Sequence, residues 1–262
     1  MTDLADDDLA KRDTLPGRTP PSLRVVLDPP PAASRSAAIR LGFAAGLSRL
    51  RRRSSLLALA LAVALVVVGA LVERAANPAA AASASLFATF RLVVPLLAFA
   101  AVAEVTDRGR LDDAAWPIAR YGAARLEVAL GIVGAAAAGI AVACGALALV
   151  ATLLAHGPAD PPLARDVLTA AWIGALTGPA YVSWYAFGAT FGKRGGGRYA
   201  PLLLDFIAGG STGVFGALLP RGGAENLLGG EAPLGMSQPA SAAALVAMTL
   251  ALAALAALRA RD

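Results

Sequence analysis

The chain has 262 residues, 57% of them hydrophobic and 16% charged, with a mean hydropathy of +0.64. A soluble domain carries about 45–50% apolar and about 25% charged residues. This composition therefore excludes an ordinary water-facing globule and supplies several bilayer spans of about 20 residues each.

The formal charge of +5 comes with only 6% aromatic residues, and the basic residues are not interleaved with them. No nucleic-acid partner is expected; surplus Arg and Lys belong at the cytoplasmic ends of membrane spans. A lone cysteine, Cys144, and a lone histidine, His156, cannot supply an internal disulfide or most His-based metal sites and triads. No cofactor is expected.

Residues 1–34 hold an acidic cluster (Asp6, Asp7, Asp8) and then Pro16, Pro20, Pro21 and Pro29–Pro31. This composition cannot bury a core and reads as a disordered cytoplasmic tail. No signal peptide is expected, because the first long apolar stretch begins beyond residue 54. Over residues 35–53, Ile39, Phe43, Leu47 and Leu50 fall on one helical face, accompanied by Arg40, Arg49, Arg51, Arg52 and Arg53. An apolar stripe with basic partners predicts an amphipathic helix lying in the membrane interface; a plain basic flank before the first span is the alternative.

Six apolar stretches follow within residues 54–262, at roughly 55–73, 86–105, 128–154, 167–191, 200–218 and 241–258. Their runs are unbroken rather than alternating, which predicts helices and excludes a strand barrel. The expected fold is all-α: a polytopic membrane bundle of about six transmembrane helices. The fifth stretch is the weakest, because Asp205 and Gly209-Gly210-Ser211-Thr212-Gly213 interrupt it. With both termini cytoplasmic, and the tail and first basic flank set aside, nine Arg and Lys fall inside and three (Arg74, Arg165 and Arg221) outside, as the positive-inside bias requires.

Arg91 and Asp205 are the ionisable residues well inside predicted spans, where such groups are functional candidates by default. Their estimated depths differ by roughly half a core of about 30 Å, so direct pairing is not expected. Arg91 is expected to snorkel outward and Asp205 toward the cytoplasmic face. The third stretch carries Gly131, Ala135, Gly139 and Ala143 at successive i+4 steps, a small-residue ridge suited to close helix packing or produced by Ala-rich composition alone.

No P-loop pattern occurs, so ATP phosphates cannot be cradled by this chain. Gly209–Gly213 matches G-x-S-x-G, but no base accompanies it: His156 falls in an external loop. A serine without a base is a weak nucleophile, and the run reads as a flexible break. No catalytic role is expected. A membrane-embedded, serine hydrolase-like enzyme using Ser211, Asp205 and His156 and a non-transporting assembly or structural protein are the alternatives.

The loop at 106–126 is too long for a turn. Leu111, Ala114, Ala115 and Ile118 form a short apolar face, Asp112 and Asp113 suit a helix start, and Trp116, Pro117 and Tyr121 add bulk. The pattern predicts a short surface helix presented to a partner, with a merely solvated loop as the other reading.

An amphipathic basic helix, six spans, a charged loop after the second span and an Arg-Asp ending together resemble the permease subunits of type-2 ABC exporters. The resemblance is carried by Pro95, Glu104, Arg108-Gly109-Arg110-Leu111 and Ala119-Arg120-Tyr121-Gly122-Ala123-Ala124-Arg125. It covers roughly residues 36–262 and departs at Arg110, where the family pattern has Thr, in a Pro-x-x-Arg element without its proline at the usual place, and in the extra Pro-rich tail. The resemblance implies a permease of a bacterial cytoplasmic (inner) membrane that pairs with a second permease copy or paralogue and a separate P-loop ATPase. It implies that the 106–126 loop couples to the ATPase through Arg108, Leu111, Asp112, Trp116, Ile118, Tyr121 and Arg125. It also implies that Pro220 to Pro239 dips back toward the membrane from outside.

Overall fold

Long runs of Ala, Leu, Val and Gly contain few turn signals, and they fold as helices; there is no strand among the described residues. The structure, a computed structural model, describes residues 34–157 and 160–261. The segment expected to be a disordered tail lies, apart from Ser34, outside the described residues.

The helices are α1 (Arg35–Leu50), α2 (Arg53–Ala76), α3 (Ala81–Ala88), α4 (Val94–Val105), α5 (Leu111–Ala119), α6 (Arg125–Ala155), α7 (Leu163–Gly188), α8 (Tyr199–Ala208), α9 (Val214–Leu218), α10 (Pro220–Leu227) and α11 (Gln238–Arg259). A π turn at Thr89–Val93 joins α3 and α4 into one continuous helix. Four helices are long and apolar enough to cross a membrane: α2, the continuous α3–α4 helix, α6 and α11. The chain thus has the architecture of a helical membrane protein. The fourth apolar stretch forms the 26-residue α7. The fifth does not form one helix: α8 stops after 10 residues, about 15 Å of rise, and α9 and α10 follow as separate short pieces.

Small residues set the packing, because apolar lipid gives helices little hydrophobic reason to associate and close backbone approach must supply the attraction. α6 and α7 meet at Gly145, Gly174 and Gly178; a Cβ on Gly178 would lie 3.0 Å from Ile140 Cγ2. α1 buries Ala38, Gly42 and Gly46 against Val128, Gly131, Ile132 and Ala135 of α6. The ridge at Gly131 and Ala135 is therefore occupied by α1 of the same chain. Of the predicted apolar stripe of α1, Ile39 and Phe43 stay partly exposed, while Leu47 and Leu50 are half-buried and Leu50 packs against Gly139 of α6. On α2 only Ala62, Val66 and Ala70 are buried, and eight large aliphatic side chains, among them Leu57, Leu61 and Val68, face outward. Such a surface is incompatible with water and suits lipid.

The two ends of the bundle are distinct. At one end the α1 C-terminus, α5, the 3₁₀ turn Lys193–Arg198 and the α11 C-terminus converge. Arg49 of α1 donates to Val105 and Ala114, Arg198 donates to Arg108, and the Arg259 guanidinium lies 4.2 Å from the Phe191 ring centroid. At the other end Arg74 donates to the Leu154 carbonyl at 3.0 Å, and Asp160, Asp166, Leu227 and Leu228 line one cavity.

Candidate functional site

α5 begins as the apolar face predicted it would. Leu111, Ala114 and Ala115 are buried and Ile118 is half-buried, while Trp116 and Tyr121 are 50% and 69% exposed. Asp112 and Asp113 occupy the first turn, where the helix dipole favours acids. Leu111, at 0% exposure, is an anchor into the bundle, so of the predicted coupling residues it is one that cannot touch a partner.

Arginines from three places hold this loop. Arg49 donates Nη2 to the Ala114 carbonyl at 3.1 Å and Nη1 to Val105 at the end of α4, where helix carbonyls lack intrahelical partners. Arg198 donates Nη1 to Thr106 Oγ1 at 3.0 Å and Nη2 to the Arg108 carbonyl at 2.7 Å. Arg52 pairs with Asp107 at 2.6 Å. Asp107 and Arg108 have positive φ, 54° and 58°, a conformation uncommon for residues with a side chain, and these contacts fix it. Facing them, Arg194 and Gly195 also have positive φ, 52° and 67°, and the Gly195 backbone packs on the Gly109 carbonyl, where a side chain would collide. Burial pushes the Arg49 and Arg198 guanidinium pKa values down from their ordinary value, and the Arg52 hydrogen bond holds the Asp107 carboxyl below the usual carboxylate range.

The remaining predicted coupling residues lie on the outer surface of the same loop. Arg110 pairs with Asp112 at 2.9 Å and Arg108 with Glu104 at 3.4 Å. The Arg125 guanidinium stacks over Trp116 at 4.5 Å, and Arg120 lies over Tyr121 at 4.8 Å. Such cation–π contacts hold an aromatic side chain in one orientation while leaving a face open. α5 is thus a small, braced platform with aromatic residues on its exposed side.

The intramembrane candidates are placed differently from the expectation. The α3–α4 helix begins at Ala81, so Arg91 is ten residues in, about 15 Å, and its side chain is exposed. Asp205 does not snorkel. It is 0% exposed and its carboxylate accepts the Tyr181 hydroxyl, at 3.0 Å to Oδ1 and 2.9 Å to Oδ2. Its charged neighbour is Arg221, which the charge count assigned to an external loop and which is in fact buried. A Cβ on Gly209 would lie 2.9 Å from Arg221 Cδ and 3.0 Å from Asp205 Oδ1, so a glycine is what lets the two approach. Arg221 Nε donates to Glu225 Oε1 at 2.7 Å. Tyr181, Asp205 and Arg221, with the half-buried Glu225, form one polar cluster where α8 breaks and α10 begins. Tyr185, stacked on Tyr181 with ring centroids 5.8 Å apart, adds a buried hydroxyl without a hydrogen-bond partner among the described residues.

Ser211 sits exposed in the break, whereas His156 Nδ1 faces Asp160 and Asp166, each at 3.9 Å. No protein family, curated protein or solved structure matches this chain.

Proposed function

We propose that the chain is the permease subunit of an ATP-driven, ABC-type exporter, with the ATPase on a separate polypeptide. The observation that carries this reading is α5: a helix of nine residues between two long apolar helices, anchored on one face by Leu111 and Ala115 and presenting Trp116 and Tyr121 on the other. A helix held by Arg49, at the end of a loop braced by Arg198, transmits a push from outside to α1, α4 and the start of α8 rather than absorbing it. The broken α8–α10 passage, with its buried cluster, supplies an element with freedom to rearrange, and a companion whose ATP-bound form prefers one arrangement would switch the bundle.

In this reading the α5 end is cytoplasmic, together with both termini. α2, α3–α4, α6, α7, the broken α8–α10 passage and α11 make six crossings of a bacterial cytoplasmic membrane, α1 lies along the inner surface, and a second permease copy or paralogue completes the assembly. Arg108, Asp112, Trp116, Ile118, Tyr121 and Arg125 form the surface for the ATPase.

The test is co-purification with a P-loop ATPase followed by measurement of its turnover. Trp116→Asp is expected to abolish permease-stimulated ATP hydrolysis while the variant elutes and melts like the parent chain, because Trp116 is half exposed. Full stimulation by Trp116→Asp overturns the coupling role. Sustained flux or bond cleavage by the chain alone in vesicles overturns the reading as a whole.

A further inference from the structure

The α5 end carries a second charged feature, which shares Arg198 with the brace of the loop. Arg108, Lys193, Arg194 and Arg198 line a cavity of about 480 Å³ together with Ala103, Gly196 and Tyr199. Among the described residues, only Arg108 of these four cations has a carboxylate partner, Glu104. Arg198 is 4% exposed, and its Nε is buried without a hydrogen-bond partner among the described residues. Burying a guanidinium without a counter-charge is unfavourable, and three uncompensated cations around one cavity repel one another; a phosphate-type anion relieves both costs.

The geometry points to the phosphate headgroup of an anionic phospholipid as the occupant. Tyr199 forms the cavity edge and also starts α8. Leu203 and Ile207 follow it at successive i+4 positions, and Tyr199, Leu203 and Ile207 are all exposed, Ile207 to 83%. An exposed apolar track on a single face of α8 therefore begins at Tyr199, a residue that lines the basic cavity. A free anion would use the cavity alone; a phospholipid uses both, its headgroup on the cations and an acyl chain along Leu203 and Ile207. Basic pockets beside membrane helices are the kind of site that holds anionic headgroups. The bound lipid would join the Lys193–Arg198 turn to the 106–110 loop, the two segments already linked by Arg198.

Native mass spectrometry of the full chain, delipidated in neutral detergent and titrated with lipid, tests this. The first phosphatidylglycerol is expected to bind at least about tenfold more tightly than phosphatidylcholine. Lys193→Gln with Arg194→Gln, both exposed positions, is expected to weaken phosphatidylglycerol binding roughly thirtyfold, the loss of two cations near a headgroup. Arg165→Gln at the opposite end is expected to change nothing, and Lys193→Arg with Arg194→Lys to retain binding. Equal affinity for the two lipids, or unchanged binding by the neutralised variant, overturns the site. Displacement of the lipid by an equal concentration of inorganic phosphate overturns the lipid as its occupant and leaves a free anion in its place.

Discussion

The molecule handles charge in two opposite ways. At the α5 end, Arg52 is exposed, Arg49 half-buried and Arg198 buried, and they spend their hydrogen bonds on carbonyls, a hydroxyl and one exposed carboxylate. At the α8–α10 break, Asp205 and Arg221 are withdrawn from solvent; Asp205 accepts from Tyr181, and Arg221 pairs with the half-buried Glu225. The first arrangement fixes backbone that has no regular structure of its own. The second keeps ionisable groups inside apolar surroundings at the one place where the helix is interrupted. Arginine as a carbonyl brace is replaceable piece by piece, whereas a buried charge cluster stands or falls together.

This contrast orders the expected effects of mutation. Arg221→Leu leaves Asp205 and Glu225 without a cation and is expected to cost about 3–5 kcal/mol, read as a fall in thermal unfolding temperature in detergent. Asp205→Asn, which keeps an acceptor for the Tyr181 hydroxyl, should cost clearly less. Equal losses would mean that the cluster is held by shape and not by charge. At the other end, Arg198→Gln removes bonds to Thr106 and Arg108 and is expected to cost about 1.5–3 kcal/mol, the range for a hydrogen bond to a charged group, with faster amide exchange confined to residues 106–110. Exchange that rose throughout the chain would show that the brace supports more than the loop.

The smallest effect concerns pH. The folded-state pKa of Asp107 is depressed by Arg52, so the contribution of this pair is present above the ordinary carboxylate pKa and is lost as pH falls through the lower folded value. Both partners are largely exposed, and salt screens such a pair. Acidification below about pH 4 should loosen the 106–110 loop slightly in the parent chain and not at all in Asp107→Asn, measured by local amide exchange at low salt. An equal response in both would assign the acid sensitivity elsewhere.

Much of the fold was legible because apolar run length and helix length are the same quantity in a membrane protein. The predicted stretches 55–73, 128–154 and 241–258 lie within α2, α6 and α11 with two or three residues to spare at most ends. The weakness read at Asp205 and Gly209–Gly213 is a physical break between α8 and α9. The start at Ala81 was not legible, because Ala81 to Ser85 is too weakly apolar to stand out from a turn. The seat of α1 was legible only in part, for a steric reason: Leu47 and Leu50 of the predicted stripe are half-buried, but the closest contacts are made by glycines. The large side chains Ile39 and Phe43 mark an obvious face, yet helices in apolar surroundings approach through what is missing, here the side chains of Gly42 and Gly46.

The site was legible in part. Leu111, Ala115 and Ile118 predicted α5 by spacing alone, but Arg49, Arg198 and Tyr181 gave no local signal, since their partners lie 24 to 92 residues away in the chain. The Gly-rich run at 195–197 was the available clue, because such a run is where another backbone comes close. Arg221 was assigned by loop counting, which cannot detect a chain that folds back into the bundle.

The contact of Gly42 with Val128 and of Gly131 with Ile39 also has a temporal side. Residue 131 leaves the ribosome 89 residues after residue 42, on the order of 5–20 s at ordinary rates of synthesis. Throughout that interval the first helix has been made but has nowhere to settle. Its large apolar residues can rest on the bilayer surface meanwhile, and its glycine face stays free for the late arrival. A bulky residue at position 42 would therefore strike twice, once in the finished protein and once by leaving the newborn helix without a berth when its neighbour is inserted.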